Sequence, residues 1–158
     1  MQKTIIKYPE IKLVGITTRT NNAPTNKIPE TIQTYFHNKL SEKINDRKNP
    51  GTTFCVYTNY ESDFNGDYTY FIGEEVSSFG KIGDGFETLS IPMQQYAKFT
   101  NQPAPMPAAC INMWQNIWKM SASDLGGERA YIADFEVYDE RSSDPNQVVL
   151  DIYVGIKK

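Results

Sequence analysis

The sequence predicts an α+β fold: one β-β-α-β-β module written twice, giving an antiparallel sheet and two helices around a central pocket on a pseudo-twofold axis. The first observation behind this is an internal repeat. Tyr8-Pro9, followed after three residues by Leu13–Thr17, recurs as Ile91-Pro92, followed after three residues by Tyr96–Thr100. Ile28-Pro29 and Met106-Pro107 each open a helical stretch, and Val56-Tyr57 with Ser62-Asp63 matches Val137-Tyr138 with Ser143-Asp144. Tyr70–Gly73 matches Ile152–Gly155. All four matches keep their order, at separations of 78 to 83 residues. The second observation is that period-two segments flank a helical spacing in each half. The third is size, since 158 residues hold one core whereas each half alone is too small for a robust one. A single domain over 1–158 is therefore expected, with repeat halves of about 1–78 and 84–158.

In the first half, Lys3–Tyr8 and Lys12–Arg19 alternate polar and apolar residues, as a half-buried strand does. Pro29 suits the first helical position, where its missing N–H costs nothing. Ile28, Ile32, Phe36, Leu40 and Ile44 then recur every four residues and predict one buried helix stripe. Asn49-Pro50-Gly51 ends the helix. Phe54–Tyr60 and Tyr68–Val76 read as a hairpin turning at Asn65-Gly66. After the linker Ser77–Gly85, the second half predicts strands at Phe86–Ile91 and Gln94–Thr100, a helix over Pro107–Ala122, and strands at Ala130–Tyr138 and Val148–Ile156. Asp144-Pro145-Asn146 turns between the last two.

Composition narrows the function. Hydrophobic residues at 39% and charged residues at 22% place the chain among globular proteins. Ten Tyr, eight Phe and two Trp exceed what a core of this size needs, and such rings suit a ligand pocket. A net charge of −3, with Lys and Arg scattered singly, argues against direct nucleic-acid binding. Apolar runs are too short for a membrane span, and the N-terminus carries no signal-peptide core, so a cytoplasmic location is expected. Cys55 and Cys110 fit buried free thiols of a reducing compartment. With one His and two distant Cys, no metal or cofactor is expected.

Candidate site residues emerge where the repeat breaks its own symmetry. Glu136 takes the place of Cys55 in mid-strand, and Trp114 and Trp118 take the places of Phe36 and Leu40. Strand alternation groups Asp134, Glu136 and Tyr138, and separately Asp151 with Tyr153. A hairpin would bring Glu136, Tyr138, Asp151 and Tyr153 to one face. That face either meets solvent or lies beneath the second helix, whose Trp114 and Trp118 share one side. Under the helix, a carboxylate among aromatic rings becomes a site for hydrophobic cations, because charge and cation–π attraction demand no single ligand shape.

Asp134–Glu140 and Val149–Lys157 resemble the GyrI-like effector-binding domains, which include the ligand-sensing parts of AraC/MerR-type multidrug regulators. Val56–Asp63, Glu75–Ser78 and Trp114–Trp118 are similar to the stand-alone, integron-associated effector-binding proteins of that family. The resemblance spans essentially the whole chain. It implies a pocket on the pseudo-dyad, a buried glutamate at Glu136, and Asp151 and Tyr153 as further pocket positions, with Tyr57 as the repeat partner of Tyr138. The expected function is therefore binding of an amphipathic, cationic or aromatic small molecule without turnover, with a regulatory protein as a possible partner. The alternatives are a hydrolase of reactive small molecules using Glu136 as general base, and a protein-interaction or inhibitor module.

Overall fold

A computed structural model describes residues 1–157. Among these, eight strands form one antiparallel sheet: β1 (Gln2–Tyr8), β2 (Ile11–Thr20), β3 (Thr53–Thr58), β4 (Tyr68–Glu75), β5 (Glu87–Ile91), β6 (Gln94–Thr100), β7 (Ala133–Tyr138) and β8 (Asp151–Ile156). Helices α1 (Ile28–His37), α2 (Ala108–Trp118) and the short α3 (Ala122–Leu125) complete the fold, and Ser121 and Asp124 close a capping box at the start of α3. The expected α+β duplication is present.

The strand order is β1-β6-β8-β7-β3-β4-β2-β5. Exchanging each strand for its repeat partner reads the same order from the opposite edge, as a twofold axis requires. The axis falls between the two central strands, where Cys55 pairs directly with Glu136, its own repeat equivalent. The first strand of each half sits in the other: β1 pairs with β6, and β5 with β2. Only Pro9-Glu10 separates β1 from β2, and Pro92-Met93 separates β5 from β6. These prolines, the first repeat match in the sequence, stand at corners where the chain leaves one ladder for another and needs no N–H there.

Alternation sends Phe54, Val56, Phe71, Tyr96, Phe135 and Tyr153 to the back of the sheet, where Tyr8 from β1 and Ile91 from β5 join them in one cluster. Phe71 and Phe135 are fully buried there, and Tyr8 of the edge strand β1 packs edge-on against Phe135 of β7. The front carries two clusters, one under α1 and one under α2.

Four sequence expectations shift. First, α1 stops at His37, and its buried residues are Thr31 and Tyr35, while Phe36 is 55% exposed. A spacing of four outruns the 3.6-residue turn and drifts around the helix, so the stripe could not stay on one face. Second, the helix expected to run to Ala122 stops at Trp118, and Ala122 instead opens the separate α3. Third, β7 begins at Ala133 instead of Ala130, because Tyr131 adopts a left-handed φ of 54° that breaks the strand. Residues 148–150 likewise leave β8, with Val148 bridging to Ala104. Fourth, Cys55 faces Ile72 and Glu136 faces Ile152, so Ile72 corresponds to Ile152, where the sequence match had set it against Val154. The two glycines of that match are not equivalent: Gly73 lies against the Val14 carbonyl and Gly155 under the Gln94 side chain.

Candidate functional site

Between α1 and α2, over the centre of the sheet, lies a cavity of about 600 Å³. Repeat partners line it in pairs: Ile28 with Met106, Pro29 with Pro107, Ile32 with Cys110, and Tyr57 with Tyr138. The two helices enter with their proline-led first turns facing the cavity, so the walls are mostly apolar. The floor is aromatic. Tyr57 on β3 and its neighbours Tyr68 and Tyr70 on β4 present edge-to-face rings with centroids 5.4 Å apart.

Glu136 stands on the axis in this floor and is 3% exposed. Its Oε2 accepts from the Tyr57 hydroxyl at 2.5 Å and from Trp114 Nε1 at 2.7 Å, and its Oε1 accepts from the Tyr138 hydroxyl at 2.6 Å. Among the described residues no Lys or Arg pairs with it. The carboxylate is therefore solvated by three neutral donors, which replace water without cancelling charge. Burial, then the nearby Glu136 charge, holds the hydroxyls of Tyr57 and Tyr138 well above the usual phenol range, so both stay protonated and keep donating. The same two causes push the Cys110 thiol up, which leaves it un-ionised and a weak nucleophile.

Trp114 and Trp118 stack at 6.5 Å on the same side of α2, and Trp118 lies parallel to Phe64 from the β3–β4 turn at 5.4 Å and 7°. Thus Glu136, Tyr57, Tyr138, Trp114 and Trp118, all singled out from sequence, line one cavity. Asp151 and Tyr153 do not. The β7–β8 register sets Glu136 opposite Ile152, so these two point to the back of the sheet. Tyr153 stacks on Phe135 at 4.6 Å there, and Asp151 accepts from Thr100 Oγ1 at 2.5 Å and from Arg141 Nη2 at 2.7 Å. The repeat carried the signal that would have corrected this: Cys55 and Tyr57 share a face with Ile72 and Tyr70, so their counterparts share a face with even-numbered residues of β8.

Sequence reasoning also missed Tyr60, Phe64, Tyr68, Tyr70 and Arg129. The tyrosines read as ordinary strand residues, though the same hairpin parity places Tyr68 and Tyr70 beside Tyr57. Arg129 precedes β7 in irregular chain and gave no periodic signal. It pairs with Asp134 at 2.6 Å, and Asp134 also accepts from the Tyr60 hydroxyl and from the Gly155 N–H at 2.7 Å. Among the described residues no cluster of His, Cys, Asp or Glu could hold a metal ion, and no helix is long and apolar enough to cross a membrane.

Known proteins share this fold. A curated relative in Bacillus subtilis (strain 168), named "Putative transcriptional regulator protein YobU", is 27% identical over 151 residues, covering 93% of this chain and 92% of its own. The integron cassette protein VCH_CASS2 from the mobile metagenome of Vibrio cholerae superposes with a TM-score of 0.77 at 24% identity, over 98% of this chain and 95% of that one. SAV2435, solved bound to tetraphenylphosphonium, superposes with a TM-score of 0.79 at 14% identity, over 99% of this chain and 94% of that one. The model of the integron-associated effector-binding protein family (Cass2) matches residues 4–156, and the chain belongs to that family.

Proposed function

We propose that the cavity binds an amphipathic cation with aromatic groups, and that Glu136 supplies the charge that selects it. The observation carrying this is a carboxylate 3% exposed, with neutral donors on both oxygens and no cationic partner among the described residues, at the floor of an aromatic cavity. A lone buried charge is costly to the empty protein, and a bound cation offsets that cost. The ring faces around it add attraction that does not depend on ligand shape. Membership of an effector-binding family supports the reading, as does the tetraphenylphosphonium held by the SAV2435 fold. Binding also suits Glu136 better than base catalysis, since three donors already occupy its oxygens.

Tetraphenylphosphonium and tetraphenylborate have nearly the same shape and opposite charge. Calorimetric titration with each should give binding of the cation alone. In Glu136→Gln, cation affinity should fall at least about tenfold, equivalent to ~1.4 kcal/mol, while the melting temperature holds or rises. Equal affinity for the two ions, or a cation affinity unchanged in the variant, would remove Glu136 from the function.

A further inference from the structure

A second cavity, of about 320 Å³, adjoins the first, and Phe64, Trp118 and Arg129 line both. It lies where the second helical stretch breaks. α2 ends at Trp118, and the capping box of Ser121 and Asp124 sets α3 on its own course. Met120 from the break, with Ala122 and Leu125 from α3, then lines the space together with Ile117 of α2. Ile117 and Leu125 are buried, so its inner surface is aliphatic. Two charged residues belong to the lining. Glu128 is exposed and keeps its charge in water, and Arg129 is paired with Asp134 at 2.6 Å, its guanidinium carbon 4.4 Å from the Tyr131 ring centroid. Phe64 and Trp118, stacked at 5.4 Å, mark the junction of the two cavities. Trp114 is tied to Glu136 through Nε1, whereas among the described residues the Trp118 side chain makes no hydrogen bond. Turning the Trp118 ring therefore costs stacking and no hydrogen bond.

We propose that the second cavity receives an apolar arm, an alkyl chain or similarly slim group, of the ligand whose cationic head lies at Glu136. The proposal rests on the cation-binding reading above and narrows the ligand class to cations with a long apolar substituent. A space this small is at the low end for holding a whole ligand, so it suits part of one. Its aliphatic lining gives a chain dispersion contacts and removal from water, and asks for no hydrogen bond in return. A polar arm would give up its hydration there for no partner. The aromatic route from the carboxylate is continuous: Trp114 donates to Glu136 at 2.7 Å and stacks on Trp118 at 6.5 Å, and Trp118 stacks on Phe64. An arm laid along those rings has apolar surface beside it from the head to the second cavity.

Methyltriphenylphosphonium and octyltriphenylphosphonium carry the same cationic head and differ in the arm, so calorimetric titration with both tests the idea. The wild-type protein should bind the octyl ion at least about thirtyfold more tightly than the methyl ion, since each buried methylene contributes about fourfold. Ala122→Phe fills the second cavity from an exposed helix position, and Met120→Trp fills it from the break between the helices. In either variant the octyl advantage should fall at least about tenfold while the methyl ion binds as before, which shows the first cavity intact. Equal binding of the two ions by the wild type overturns the proposal and leaves cation binding standing. An octyl advantage that both variants retain in full overturns it as well, because the arm then lies elsewhere. Failure of both ions to bind the wild type rejects the cation-binding reading, and this proposal with it.

Discussion

Two buried carboxylates, Glu136 and Glu74, show how local donors decide what a charge is for. Glu136 has three neutral donors from three elements and lies on the floor of the cavity. Glu74, on β4 and 1% exposed, has only Arg47 Nη1 at 3.6 Å and the Gly51 N–H at 3.4 Å, with Oε1 unpartnered among the described residues. Burial therefore raises its pKa above the ordinary 4.5, although Gly51 and Arg47 pull the other way. A carboxyl whose folded pKa is raised favours folding below its unfolded value and loses that contribution as pH rises through its folded value. Glu74→Gln should accordingly melt higher than the wild type at pH 7, and the gap should close as pH falls below the ordinary carboxylate range. A gap that widened in acid would reverse the assignment. Glu136 was legible from sequence because it broke the repeat at one position. Glu74 also breaks the repeat, standing where β8 has Val154, but strand alternation alone reads a glutamate there as a solvated one.

Strands were easier to read than the faces of helices. Period two is an exact property of a pleated strand, so alternation grouped Asp134, Glu136 and Tyr138 of β7 on one face, and the structure keeps them there with Phe135 and Val137 in the back cluster. What alternation cannot supply is the register between two strands, and one residue of slip moved Asp151 and Tyr153 to the wrong side. In α1 the apolar residues at four-residue spacing pointed to Phe36, but the packed aromatic is its neighbour Tyr35. This difference is measurable. Phe36→Ser should change stability by no more than ~0.5 kcal/mol, as at other exposed positions. Tyr35→Ala should cost about 3–5 kcal/mol, as for a fully buried aromatic. Urea unfolding of the two variants would settle which face the helix buries, and a large loss at Phe36 would restore the four-residue stripe.

The whole molecule depends on exchange between its halves. Sequence repetition revealed the two modules, yet it could not reveal that β1 and β5 trade places, because a repeat describes what each half contains and not which copy it pairs with. The exchange follows from the corners at Pro9 and Pro92. Each turns the chain out of its own ladder, so Tyr8 covers the back of β6–β8 and Ile91 the back of β2. The site needs both halves for a separate reason: Glu136 and Cys55 meet across the ladder that joins the central strands, β3 with β7. A chain divided in the Ser77–Gly85 linker should therefore yield two fragments that are individually unfolded, each missing a strand and half of the axis. Halves of this length bury too little surface to compensate. Mixed in equal amounts, they should recover the circular dichroism of the intact chain, form a one-to-one complex by native mass spectrometry, and regain tetraphenylphosphonium binding, since both walls and the floor of the cavity return together. Cooperative melting of either fragment alone would mean that each half can seat its own first strand, and the exchanged strands would then be dispensable to the fold.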